Sequence, residues 1–307
     1  MIIVTGASRG LGQAITERLI ERGEEVIGLA RNTNGLKINA IECDVSDYAS
    51  VKNASKEVKR MKKPVKAFIN AAGVASMNMA VTTNESTVQK LIQTNLVGTI
   101  YCCQLFAPIM LRQKQGSFIN FSTIAVALAL KGESVYAASK AGVESFSRTF
   151  AREMADFNVR VNCIAPGPIR TDLLRGITDT QIEKITSQQV IQRQFQKSDV
   201  CDLVELLLDE KAISLSEQVL NVGGLKFMAS EVERVALQYE NVELAKAEAK
   251  PNPITGQHVE LTVQSAPNRE FDKVGLKALL VAQLPNHMMP KRIRVASVSV
   301  GHRFKKS

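Results

Sequence analysis

Tyr136 and Lys140 are spaced i, i+4, so on a helix a phenol and an ammonium share one face. An isolated tyrosine titrates near pH ~10, too high for easy proton exchange at neutral pH. A lysine one turn away favours the phenolate and lowers that value, which suits the phenol to general acid/base work. Ser122 ends an apolar run, 117–121, where a hydroxyl can donate to a substrate carbonyl as its oxygen gains charge. Near the N-terminus, Gly6, Gly10 and Gly12 fall between a strand-like run, 2–4, and a helix-like segment, 11–22. Glycines there allow a tight turn and close backbone approach to a pyrophosphate, whose charge sits at the helix N-terminus. A nucleotide cradle upstream of a proton donor beside a lysine points to hydride transfer.

The second apolar run ends Leu29-Ala30-Arg31-Asn32. An acid at that place would grip the ribose 2′-hydroxyl of NAD, whereas an arginine accommodates the 2′-phosphate of NADP. Arg31, with Arg9 in the glycine-rich turn, therefore points to NADP(H). Asp44-Val45, after the third run, is placed to bond the adenine.

Positioning these groups requires strands that end on one edge of a sheet. Apolar runs at 2–4, 26–29, 38–41, 67–69, 117–121, 159–164 and 219–222 read as strands. Amphipathic stretches at 50–60, 88–112, 135–154 and 200–208 separate them. This alternation predicts an α/β fold: a Rossmann-type doubly wound parallel sheet with helices on both faces. The pattern changes after Gly223-Gly224. A capping box, Ser230 with Glu233, opens a helix at 231–239, followed by strands at 242–249 and 259–263, a helix at 271–284, and short strands at 293–295 and 298–300. The expectation is a nucleotide-binding domain, 1–225, and a second, small α+β domain, 226–307.

Composition narrows the function class. The 307 residues carry 45% hydrophobic side chains and a net charge of +9. No nucleic-acid motif accompanies that charge, and no apolar run reaches the roughly 20 residues of a membrane span. Strand-like sequence from residue 2 leaves no room for a leader, so cytoplasm is expected. Five cysteines without C-x-x-C spacing read as reduced, buried thiols, and His258, His287 and His302 assemble no metal site.

Residues 1 to about 225 resemble the short-chain dehydrogenase/reductase family. The matching motifs are Thr5-Gly6-Ala7-Ser8-Arg9-Gly10-Leu11-Gly12, Asp44-Val45, Asn70-Ala71-Ala72-Gly73, Asn95, Ser122, Tyr136-Ala137-Ala138-Ser139-Lys140, and Pro166-Gly167 with Thr171. The resemblance implies that Tyr136 is the general acid/base, Ser122 polarises the carbonyl and Lys140 orients the cofactor. Asn95 would hold a water relaying protons to Lys140, and Thr171 would bind the nicotinamide carboxamide. Within the family the likeness is to 3-oxoacyl-[acyl-carrier-protein] reductases of fatty acid biosynthesis, which implies a 3-oxoacyl thioester on a carrier protein or CoA. A sugar or polyol reductase is the alternative enzyme, and a non-catalytic scaffold the alternative outside enzymes. The resemblance also implies a homodimer or homotetramer, built on the apolar segments 88–112 and 135–154.

Residues 221 to 307 resemble the C-terminal domain of acyl-adenylate-forming enzymes. Gly223-Gly224-Leu225-Lys226-Phe227, Ala229-Ser230-Glu231-Val232-Glu233, Pro251-Asn252-Pro253-Ile254-Thr255-Gly256-Gln257, and Leu284-Pro285 with Met289-Pro290-Lys291-Arg292-Ile293 carry the likeness. The lysine those enzymes carry after a C-terminal glycine is replaced in Gly301-His302. A module that docks an acyl carrier protein or a separate adenylation domain is expected, with a structural remnant as the alternative.

Overall fold

The structure, a computed structural model, describes residues 1–171, 178–224, 229–252, 256–265, 271–284 and 288–298. The chain forms two compact units, Met1–Leu225 and Lys226–Ser307.

In the first unit seven parallel strands run in the order β3-β2-β1-β4-β5-β6-β7. They are β1 (Ile2–Thr5), β2 (Val26–Ala30), β3 (Ala40–Glu42), β4 (Ala67–Asn70), β5 (Gly116–Phe121), β6 (Val159–Ala165) and β7 (Val219–Asn221). Every residue of β1, β2, β4 and β5 is buried, which is why these strands read as unbroken apolar runs rather than alternating ones. Alternate side chains serve two cores. Ile3, Phe68 and Phe118 pack with residues of α2 (Tyr48–Arg60), α4 (Gly98–Gln113) and α6 (Ser134–Ala155). Ile2, Val4, Ala67 and Ile69 pack with α1 (Gly10–Glu21) and α8 (Lys197–Leu208) on the other face. Strand order reverses between β1 and β4, and a crevice opens there at the carboxyl ends of the strands.

The segment expected as one helix at 88–112 begins earlier, at α3 (Glu85–Leu91), because the Asn84 side chain caps it by accepting from the Thr87 N–H at 2.9 Å. It then passes through a π-helical stretch, Ile92–Val97, into α4. The whole run, Glu85–Gln113, is long and apolar enough to cross a membrane by length and composition, contrary to the expectation that no such segment exists. Its apolarity is that of a core helix: Cys102, Cys103, Phe106 and Met110 are fully buried. Strand β3 lies two residues beyond the expected start, and two short helices, α5 (Ala125–Leu128) and α7 (Asp179–Thr186), were not anticipated.

The second unit pairs β8 (Val242–Asn252) antiparallel with β9 (Gly256–Ser265), and β10 (Arg292–Val295) parallel with β9. Helices α9 (Ala229–Ala236) and α10 (Lys273–Gln283) contribute Val232, Val235, Leu276 and Leu280 to its core with Leu261 and Val263. Asp272 caps α10 by accepting from the Val274 and Gly275 N–H groups. The expected strand at 298–300 does not include Val298, whose N–H donates instead to Gln264 Oε1 at 3.0 Å. Gly301, His302 and residues 253–255 lie outside the described residues.

Candidate active site

A cleft of about 440 Å³ runs along the carboxyl edge of the large sheet, lined by residues from the ends of β1, β2, β4, β5 and β6. At one end lie Gly6, Ser8, Arg9, Gly10 and Leu11. Gly6 has φ +69°, and a Cβ there would lie 2.9 Å from the Ala72 Cα, so only glycine lets the β1 and β4 turns close together. A Cβ on Gly12 would lie 2.3 Å from the Gly6 carbonyl oxygen, so α1 seats directly on the turn. Helix α1 has no side-chain cap at its N-terminus and no acid in its first turn. Its first amide groups and positive dipole end are therefore left for an external anion, and the chain fits a pyrophosphate here.

Arg31 and Arg9 both line this end, both are exposed, and among the described residues neither is in an ion pair. Asp44 lines the cleft beside Val45. Its Oδ1 accepts from the Ser46 N–H at 2.9 Å and the Ser46 hydroxyl at 2.6 Å, which leaves Oδ2 for a ligand donor. Ala71, Ala72 and Gly73 form the wall beyond β4, held by the Ala72 N–H donating to Thr5 Oγ1 at 3.0 Å. Pro166, Gly167 and Thr171 line the far side.

At the reacting end Glu133, Tyr136 and Lys140 follow one another along one face of α6 and its N-cap, and all three line the cleft. Lys140 Nζ donates to the Phe121 carbonyl at 2.8 Å, and its burial lowers its pKa to about 8. The Tyr136 phenol is pushed up to about 12, by burial first and the Glu133 charge second, against a lowering hydrogen bond with Thr123. Spacing of i, i+4 sets the two side chains on one face, but the strand-end carbonyl takes the ammonium. Tyr136 is thus held as the neutral phenol at neutral pH.

Ser122 lines the cleft with Tyr136 and Lys140, and its side chain also reaches back to α6. Phe118, Asn120 and Ser122 alternate along β5 and project toward α6. Phe118 meets Phe150 with ring centroids 5.4 Å apart, Asn120 Nδ2 donates to Ser147 Oγ at 2.8 Å, and Ser122 Oγ donates to Glu144 Oε1 at 2.6 Å. Ser122 is 4% exposed and its hydroxyl proton is committed to a carboxylate. Thr123, which sequence reasoning missed, lines the cleft beside Ser122.

Asn95 and Asn70 are held behind the cleft wall. Asn95, on the π turn, is fully buried and does not line the cleft. Its Oδ1 accepts from the Val74 N–H at 2.8 Å, and its Nδ2 donates to the Val74 carbonyl at 2.9 Å and to Ser139 Oγ at 3.0 Å. The amide braces the β4 loop to α6. Asn70 Nδ2 donates to Asn120 Oδ1 at 2.8 Å, so its side chain belongs to the buried row beneath the sheet and not to the cleft wall. Gly12 likewise acts from behind the cleft. Among the described residues no group of three or more metal-ligating side chains occurs.

The sequence profile of the short chain dehydrogenase family matches residues 1–182. A protein of Staphylococcus epidermidis described as 3-oxoacyl-[acyl-carrier-protein] reductase FabG is 32% identical over 239 residues, which is 74% of this chain and 98% of that protein. A Bos taurus 3-oxoacyl-[acyl-carrier-protein] reductase is 33% identical over 190 residues, covering 59% of this chain and 80% of its own length. Among solved structures, Thermoplasma acidophilum aldohexose dehydrogenase in ligand-free form superposes with a TM-score of 0.66 at 30% identity, covering 73% of this chain and 92% of that one.

Proposed function

The chain belongs to the short-chain dehydrogenase family of oxidoreductases, and from that premise we propose that it reduces a 3-oxoacyl thioester to the 3-hydroxyacyl form with NADPH. The observation that carries the reading is the Tyr136 phenol, kept protonated by burial, in one cleft with the Ser122 and Thr123 hydroxyls and Lys140 that is continuous with an uncapped helix N-terminus. A reduced nicotinamide bound along this cleft would supply hydride to the carbonyl carbon. Tyr136 gives its proton to the carbonyl oxygen, and Thr123 donates a hydrogen bond to the same oxygen as its charge grows. Lys140, charged below pH about 8, supports the phenolate that remains and sits 3.5 Å from where a Gly73 Cβ would be, within reach of a ribose along that wall. Asn95 acts as a positioning residue.

NADPH over NADH rests on Arg31 and Arg9, two exposed guanidiniums without carboxylate partners among the described residues, beside the end of a strand that offers no acid. The relatives described as 3-oxoacyl-[acyl-carrier-protein] reductases support the thioester substrate. The aldohexose dehydrogenase likeness favours a sugar as the second reading. A panel of 3-oxoacyl thioesters and aldoses, followed by reduced-nicotinamide absorbance, separates the two. Tyr136→Phe should abolish turnover while cofactor binding persists; undiminished turnover in that variant refutes the assignment. For residues 226–307 the resemblance supports a docking module for an acyl carrier or a separate adenylation domain, tested by pull-down with the full chain.

A further inference from the structure

The cleft holds an acid that this reaction does not use. Beyond Tyr136 its wall is largely apolar, with Met77, Ile124, Leu130 and Ile185, yet Glu133 also faces it. Glu133 is 8% exposed, and among the described residues its carboxylate has neither a hydrogen-bond nor an ion-pair partner. The other acid lining the cleft, Asp44, is already bonded to Ser46. Lys131, two residues away, is exposed and unpaired. Glu133 stands at the N-cap of α6 but caps nothing with its side chain, so helix capping does not account for it.

The Glu133 oxygens are not among the enclosed unpartnered atoms, so they keep access to the cleft. Partial burial raises the Glu133 pKa above the usual carboxylate range. A ligand in the cleft that brings a donor supplies the partner that the protein does not. Three residues before Tyr136 on the same face, Glu133 lies about 5–6 Å away between Cβ atoms. That is a few bonds from a carbonyl held at the phenol. We propose that Glu133 is a specificity-determining residue that accepts a hydrogen bond from an amide N–H or hydroxyl near the reacting carbonyl of the substrate. This rests on the reading of the cleft as a carbonyl-reducing site. The donor is either the first amide of the thioester arm or a hydroxyl on the acyl chain. Substrates with a carboxylate at that place are repelled, and simple ketones leave the group unsatisfied.

The test compares the full chain with Glu133→Leu and Glu133→Gln on three probes: acetoacetyl-N-acetylcysteamine, ethyl 4-hydroxyacetoacetate and ethyl acetoacetate. For each, kcat/KM is measured with NADPH, and the dissociation constant of the 3-hydroxy product is measured on the NADP-loaded protein. Glu133→Leu should lose about tenfold or more on a donor-bearing probe and less than twofold on ethyl acetoacetate. Glu133→Gln, which keeps an acceptor oxygen, should lose less. Loss on the cysteamine thioester assigns the arm amide, and loss on the hydroxy ester assigns the acyl hydroxyl. Equal losses on all three probes, or none, overturn the proposal in favour of a structural carboxyl. Binding selectivity that depends on Glu133 without turnover of any probe upholds this inference while refuting the reductase reading; no binding of any product refutes both.

Discussion

Replacing Ser122 and Thr123 separately by alanine decides which hydroxyl assists the carbonyl. Both hydroxyls line the cleft, but that of Thr123 has no carboxylate partner among the described residues, so Thr123→Ala removes a donor that can turn to developing oxygen charge. Loss of one such donor costs about 10²–10³ in kcat, or roughly 3–4 kcal/mol of transition-state stabilisation. Among the described residues its backbone tie is a long one, the Ala125 N–H at 3.3 Å, so stability should change by under about 0.5 kcal/mol. Ser122→Ala breaks a 2.6 Å bond to Glu144, a largely buried carboxylate whose other partner is Arg148 at 3.5 Å. An acceptor robbed of a charge-assisted donor costs about 1–3 kcal/mol, which in a unit of this size lowers Tm by roughly 2–10 °C. Turnover per folded molecule should fall less than fivefold, and Thr123→Ser should restore activity. Steady-state NADPH oxidation and thermal unfolding on the same preparations supply both readouts. The reasoning is refuted if Ser122→Ala loses a hundredfold in kcat at unchanged Tm while Thr123→Ala stays active.

Three further outcomes are expected. Arg31→Asp places a carboxylate where the 2′-phosphate would sit and should raise the KM for NADPH about 10–100-fold while that for NADH moves less than threefold; unchanged KM values would show that Arg31 is solvated surface. Lys140 loses its charge through pH about 8, so reductive kcat/KM should decline above that pH. Because its folded value lies below the ordinary 10.5, the folded state binds fewer protons between about 8 and 10.5. The wild type should therefore gain stability relative to Lys140→Met as pH rises through that window, read from unfolding midpoints across pH, and a flat difference would contradict the burial effect. Gly12→Ala drives a Cβ to 2.3 Å from the Gly6 oxygen and should cost about 1–3 kcal/mol with loss of cofactor affinity. Gly10→Ala, with φ +65° and nothing within 4 Å, should cost only about 1–2 kcal/mol of backbone strain; equal effects on packing would rule out the close α1–turn contact.

The sequence by itself determined the strand order's raw material and the position of the cleft. Unbroken apolar runs such as Ile2–Thr5 and Ala67–Asn70 can be buried on both faces only in a helix-covered parallel sheet. Gly6 and Gly12 stand where backbone must touch backbone, and Tyr136 with Lys140 is a local helical spacing; each of these is a property of a few neighbouring residues. Tertiary structure decided what the side chains do once there. Ser122 and Thr123 are adjacent in sequence and both line the cleft, but the pleat also carries Ser122 into the row facing α6, where it meets Glu144. Lys140 is drawn to the Phe121 carbonyl and Asn95 to both backbone groups of Val74, partners many residues away in the chain. Glu133 is distinguished only by what fails to surround it. Buried hydrogen-bonding groups take the partner that packing brings within reach, and that partner is fixed by strand register and helix seating, not by local spacing.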